Sequence, residues 1–316
     1  MGRIIAAGHL NWDVTLRVKS LPAPDGEAQI TGQHRAGGGS AANVASALAG
    51  LDLESGLVGS VGDDEQGRMA TQELAAQGVD VSGVLTVENG ETTVKFLIVD
   101  ADGEVMVLAN DGVNEAIGPP DLEESMLDGS DHVHLTGQKP ETAAKLIELA
   151  QATTRTVSFD PGRRIEERAF EPLLDQVDVL LLNELEAKAV FPAARGTPLE
   201  QAAGPDRVIV VKRGGDGASV YTDSAAVHHP GFSVETVDTT GAGDAFAAGF
   251  LAATVGGLSP GDQTVRAKTT EVTSTDFERV LAIANACGAL TVRQPGARTA
   301  PGTSELKTFL ANRGVD

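Results

Sequence analysis

Along most of the chain, short runs rich in β-formers alternate with amphipathic segments, the rhythm that a mostly parallel sheet flanked by helices requires. Gly2–Gly8, Thr156–Asp160, Asp178–Asn183 and Arg207–Lys212 read as buried strands. Ala41–Ala49, Gly67–Gln77, Glu141–Gln151, Asp244–Val255 and Asp276–Val292 read as helices. With 316 residues, 41% of them apolar, one large α/β unit can absorb the chain. Two stretches break the rhythm. Residues 11–35 and 89–113 read as antiparallel strands, with a hairpin signal at Asp102-Gly103. They would form a small sheet projecting from a body made of 1–10, 36–88 and 114–316, well placed to act as a lid. Residues 256–275, rich in Gly, Thr and charge, read as a flexible surface insertion.

The charge excludes some partners. Forty-five acidic residues against 24 basic ones give a formal net of −21, which repels nucleic acid and anionic membranes. The acids are scattered rather than gathered in a tail, so we expect a cytosol rich in salt, where screening shortens self-repulsion. No run of about 18 apolar residues is present to span a membrane. The N-terminus leads directly into an apolar strand without a cleavable signal pattern. A single cysteine, Cys287, excludes an internal disulfide, and the expected location is cytoplasmic.

The stretch Val237-Asp238-Thr239-Thr240-Gly241-Ala242-Gly243-Asp244 carries the chemistry. A β-like run, Phe232–Val237, enters a turn of small residues that opens a helix. Backbone N–H groups there can approach an anion closely, and the helix N-terminus adds positive potential. Asp244, in the first helical turn, could accept a proton from an attacking hydroxyl beside that anion hole. No Walker phosphate loop or dinucleotide fingerprint occurs. In Gly37-Gly38-Gly39-Ser40-Ala41-Ala42-Asn43, three glycines open onto a helix whose first turn presents an amide suited to hydroxyls. Asn183 and Glu186, on one helical face after a buried strand, suit a water-bridged Mg2+–phosphate assembly, or else a plain helix cap.

In this order the motifs GHLNWD, GGGSAAN, NELE, VKRGGDGA, DTTGAGD and IANACGA resemble the ribokinase-like (PfkB) carbohydrate kinases over essentially the whole chain. The resemblance implies a three-layer α/β/α fold with a mostly parallel central sheet and a small β-sheet lid that often contributes to homodimers. It also implies transfer of the ATP γ-phosphoryl group to a sugar hydroxyl. Asp244 would be the base, with anion-hole amides from Gly241, Ala242 and Gly243. Asn11, Asp13, Gly38, Gly39 and Asn43 would hold substrate hydroxyls. Asn183 and Glu186 would organise the phosphates and Mg2+, while Lys212, Gly214, Gly217 and Asn285 would meet ATP. Asp238 and Thr240 match part of a K+ site completed by the 293–300 loop, where Ala300 replaces a usual hydroxyl residue.

The substrate stays open among ribose, fructose, a keto-deoxy sugar acid and a nucleoside, and a catalytically silent ligand-binding homologue is a further alternative. Lys95 stands on the expected lid where ribokinases tend to carry a small apolar residue, and Gln138 replaces an acid aimed at the sugar. Asp160, with Arg163 and Arg164, borders the same cleft. Cations there would favour a carboxylate or phosphate on the sugar, although Lys95 equally reads as an outward strand lysine. Trp12 could stack on a ligand or pack the lid. His132 and His134 share a strand face without further metal ligands nearby, and Cys287 reads as a core thiol.

Overall fold

The structure, a computed structural model, describes residues 2–315 except 103, 111, 192–198, 206 and 259–273. Most of the expected surface insertion, and Gly103 of the hairpin signal, therefore lie outside the described residues. The elements run β1 (Ile4–Ala7), β2 (Asn11–Val18), β3 (Ile30–Gly38), α1 (Ser40–Gly50), β4 (Ser55–Gly62), α2 (Glu65–Ala76) and β5 (Asp80–Val87). There follow β6 (Val94–Val99), β7 (Val105–Ala109), β8 (His132–Thr136), α3 (Pro140–Gln151), β9 (Thr156–Asp160), α4 (Glu171–Leu174), β10 (Val179–Asn183) and α5 (Glu184–Val190). The last are α6 (Leu199–Ala203), β11 (Val208–Lys212), β12 (Ala218–Tyr221), β13 (Ala226–His229), α7 (Ala242–Thr254), α8 (Ser274–Thr291) and α9 (Thr303–Ala311).

Nine strands form one sheet in the order β13-β12-β11-β10-β9-β8-β1-β4-β5. Its pairings are parallel except that β12 runs antiparallel to both β11 and β13. The unbroken apolar run of β10 shows why: Val179 and Leu181 join one core while Leu180 and Leu182 join the other. A strand covered on both faces has no polar side, so it reads as continuous rather than alternating. Apolar residues of α1, α2, α7, α8 and α9 belong to the first core and those of α3, α4, α5 and α6 to the second, giving three layers.

The small sheet is separate, with order β3-β2-β6-β7. Trp12 and Val14 join the main core, so Trp12 packs rather than faces solvent. β6 and β7 pair antiparallel, and at their connection the Asp100 carboxylate accepts the N–H groups of Asp102 and Glu104. An Asp can organise its own turn in this way.

One expectation fails. Phe232–Val237 is no strand. Its end is bound instead to the end of α8, since Val237 N–H donates to Val292 O at 2.7 Å. The glycine triplet closes β3, a strand of the small sheet and not of the main one. Of the three motifs, only Asn183 ends a main-sheet strand. His132 and His134 both bond Ser158 and are buried, which lowers them to about 3 and about 4. Cys287 packs under Gly249 in the core, where burial raises its thiol to about 12.

Candidate active site

Two helix N-termini meet at one carboxylate. Asp238 starts the arrangement by accepting N–H bonds from Thr240 at 2.9 Å and from Gly296 at 2.9 Å, which ties the approach of α7 to the 293–300 loop. Gly241 then adopts φ 78° and caps α7. A Cβ there would collide with the Ala297 carbonyl, so only glycine makes this turn. In front of Gly243 the space is open, with only Lys212 Nζ within 4 Å of where a Cβ would stand. Asp244 follows in the first turn. Asn43, in the first turn of α1, donates Nδ2–H to Asp244 Oδ2 at 2.8 Å. Burial raises the Asp244 carboxyl to about 6, helped by Asp160 and opposed by the hydrogen bonds from Asn43 and Ser40 and by Lys212. A carboxyl so placed is ionised at neutral pH yet more basic than an ordinary one.

Behind Asp244 lies a charged group at the carboxyl ends of β9, β10 and β11. Lys212 forms an ion pair with Asp160, and both side chains are largely buried. Desolvation opposes the lysine's charge, but Asp160 and Glu186 outweigh it and raise its pKa. Asp160 thus sits with the group behind Asp244, not only at the border of the cleft. Asn183 and Glu186 form the plain cap as well: Asn183 Oδ1 accepts Glu186 N–H at 2.9 Å and Glu186 Oε2 accepts Asn183 N–H at 2.8 Å. Burial, then Asp160, raises the Glu186 carboxyl. Arg213 turns away to Glu184 at 2.8 Å. A Cβ on Gly217 would collide with His229 O. Asn285 donates to Leu281 O at 2.8 Å and lies 3.4 Å from His229 Nδ1, which brings Asn285 and the Gly214–Gly217 turn to one place beside β13.

On the other side of Asp244 the glycine triplet is dense rather than flexible. A Cβ on Gly37 would strike Arg298, on Gly38 the Asp13 carboxylate and on Gly39 the His9 carbonyl. Arg298 was not foreseen among the site residues, and it ties the region together. Its Nη1 donates to Glu73 at 3.0 Å, Nη2 to Gly38 O at 3.1 Å and Nε to Asn43 Oδ1 at 3.3 Å. Glu73 in turn accepts Gly37 N–H at 2.9 Å. Sequence gave little hint of either residue, because an Arg in a loop and a Glu on a helix normally read as surface. Burial raises the Asp13 carboxyl against the pull of Lys95 and Arg298, and its Oδ1 has no protein partner. Lys95 pairs with Asp13 in the sheet register, so it shares the Asp13 face. Asn114, also unforeseen, donates to Asn11 Oδ1, while Asn11 Nδ2 and Gln138 Nε2 are buried donors without a protein acceptor.

The arrangement therefore joins a basic carboxylate, an open helix start beside a lysine, and a lobe of orphaned polar groups. Known proteins share the sequence pattern and the fold. The chain is 50% identical over 316 residues to an ATP-dependent ribose-1-phosphate kinase of Halopiger xanaduensis, covering 99% of each. It is 29% identical to fructokinase-2 of Solanum habrochaites, covering 98% of this chain and 96% of that one. The crystal structure of a ribokinase from Thermotoga maritima superposes with TM-score 0.82 at 24% identity, covering 99% of this chain and 100% of that one. The model of the pfkB family carbohydrate kinases matches residues 1–303. By motif order, fold and this match, the chain belongs to the pfkB family and is a sugar phosphotransferase with an alcohol acceptor.

Proposed function

We propose that this kinase transfers the γ-phosphoryl group of ATP to ribose 1-phosphate, at its free primary hydroxyl, with Asp244 as general base. The observation that carries the reading is the place of Asp244. It stands between Asn43 on the orphaned polar lobe and the open turn at Gly243 with Lys212 behind it. The 50% identity to a ribose-1-phosphate kinase supports the acceptor.

In this reading Asn43 aims the Asp244 carboxylate, which takes the proton as the hydroxyl oxygen attacks the γ-phosphorus and the bond to the β-phosphate oxygen breaks, releasing ADP. N–H groups of Gly241 and Gly243 and the N-termini of α1 and α7 stabilise the charge that develops on the transferring group, whereas the expected Ala242 N–H is taken by Thr239 O at 3.3 Å. Lys212 balances part of that charge. Asp13, Asn11 and Asn43, with the backbone of Gly38 and Gly39, take ring hydroxyls. The Gly214–Gly217 turn and Asn285 face the nucleotide, and the small sheet closes over the sugar as a lid. Among the described residues no three His, Cys, Asp or Glu converge as a metal cage. Burial and the neighbouring Asp160 raise the Glu186 carboxyl, so the two acids fit a Mg2+ that takes its remaining ligands from water and phosphate. Bound there, Mg2+ would neutralise phosphate charge. A K+ site fits less well, since both Asp238 oxygens already accept backbone N–H bonds and Ala300 brings no hydroxyl.

ATP consumption with Mg2+ across ribose, fructose, a keto-deoxy sugar acid, nucleosides and ribose 1-phosphate tests the reading. We expect the highest kcat/KM for ribose 1-phosphate, and greater activity and thermal stability in molar KCl than in dilute buffer. Turnover of nucleosides alone would remove the proposed acceptor, and indifference to KCl would remove the saline cytoplasmic setting.

The lid supplies a second expectation. Val105, Val107 and Leu108 on edge strand β7 are each more than half exposed. An open apolar edge of this kind invites pairing with another strand. Sedimentation should show a dimer that Val107→Lys weakens; a wild-type monomer at assay concentrations would reject the lid interface.

A further inference from the structure

We infer that His9, Arg164 and Arg168, gathered around Glu115, form the subsite for the phosphate that the sugar carries before the reaction. The inference rests on the proposed acceptor and adds the residues that would separate a sugar phosphate from a free sugar.

The group lies where the main sheet opens. His9 follows β1, Gln138 follows β8, and Arg164 and Arg168 follow β9, three neighbouring strands with parallel pairing. A Cβ on Gly137 would collide with Pro161 O, so the chain leading to the arginines passes directly beside Gln138. Glu115 adjoins Asn114, which bonds Asn11. The cations thus border the lobe that holds Asn11 and Gln138.

One carboxylate organises all three side chains. Glu115 accepts from His9 Nε2 at 2.9 Å and from Arg168 Nη2 at 3.0 Å, while Arg164 Nη1 stands 3.5 Å away. Burial raises the Glu115 carboxyl, but the bonds from His9 and Arg168 prevail and hold it near about 2. It is therefore always charged and fixes the guanidinium groups before a ligand arrives, as an outer-shell acid orients a ligating residue. Arg164 and Arg168 against Glu115 leave one positive charge in excess among the paired groups, on a chain of net charge −21. Field lines focus on such an exception and draw anions to it.

The adjacent donors agree. Gln138 Nε2 and Asn11 Nδ2 are buried N–H groups with no protein acceptor. Buried orphaned donors are costly and call for an acceptor. Phosphate oxygens only accept, and guanidinium recognises them bidentately. A carboxylate at position 138 would repel that ligand, whereas the amide donates to it. Arg298 is spread over Glu73, Gly38 O and Asn43, and Lys212 is paired with Asp160, whereas Arg164 is half exposed and only 3.5 Å from Glu115 at its nearest nitrogen. Lys95, on the Asp13 face of the lid, is the rival anchor.

The test compares kcat/KM for ribose 1-phosphate and for ribose in the full-length enzyme. In Arg164→Ala/Arg168→Ala the ratio of the two should fall by roughly 10- to 100-fold, mostly through KM, as loss of charge-assisted bonds implies. Arg168→Lys should restore part of it. Should the double variant unfold, Arg164→Ala alone reads the ratio, because that side chain is half exposed. An unchanged ratio, or a collapse seen only with Lys95→Ala, overturns the subsite while leaving the acceptor intact. A wild-type enzyme with no preference for ribose 1-phosphate removes the acceptor and the subsite together.

Discussion

Asp244→Asn should reduce kcat by at least the ~10²–10⁴-fold that a positioned general base contributes, while ATP affinity measured by calorimetry holds. The substitution keeps shape and the bond from Asn43 but removes the proton acceptor. Wild-type kcat/KM should fall as pH drops through about 6, where the carboxyl protonates. Stability moves the other way. The folded carboxyl binds its proton more tightly than an ordinary one of 3.8, so its contribution is full below that value and is lost as pH rises through about 6. Asp244→Asn should therefore raise Tm at pH 8 but not at pH 4. Near-normal turnover in the variant, or an unchanged acid limb, would reject Asp244 as the base.

Arg298→Met should lower stability and catalysis together. Its side chain is 3% exposed, and its loss strands the partly buried Glu73 and leaves Gly38 O and Asn43 without a donor. Removing one partner of a buried pair costs about 3 kcal/mol or more. For a chain of this size that lowers Tm by roughly 4–5 °C. Because Arg298 holds Asn43, and Asn43 holds Asp244, kcat should fall further than the unfolded fraction explains. Arg298→Lys should recover little, since one ammonium cannot reproduce three divergent bonds. A variant with wild-type Tm and kcat would show that the network is idle.

How far each feature was legible depends on the reach of its cause. The strand Thr156–Asp160 appears with the expected bounds, and other elements shift by one or two residues, because hydrophobic periodicity is a local property that burial enforces. Phe232–Val237 was misread because its apolar pattern matches a strand, while its partner turned out to be a helix end. Asn183 and Glu186 kept two readings in sequence, and the cap bonds between them are present alongside their place near Asp160. Arg298, Glu73, Asn114 and Glu115 left no local signature.

From the sequence alone came the alternation of β and α, the separate small sheet, the glycine turn before Asp244 and the excess of acid. Those follow from side-chain period, turn chemistry and charge, all of which act over a few residues or over the bulk. Only the tertiary structure decided which ions share a carboxylate and which buried donors lack an acceptor. Asn43 and Asp244 lie 201 residues apart in sequence, and Arg298 and Asn43 lie 255 apart. Interactions across such separations exist only once the sheet has brought its strand ends together, so no pattern along the chain records them.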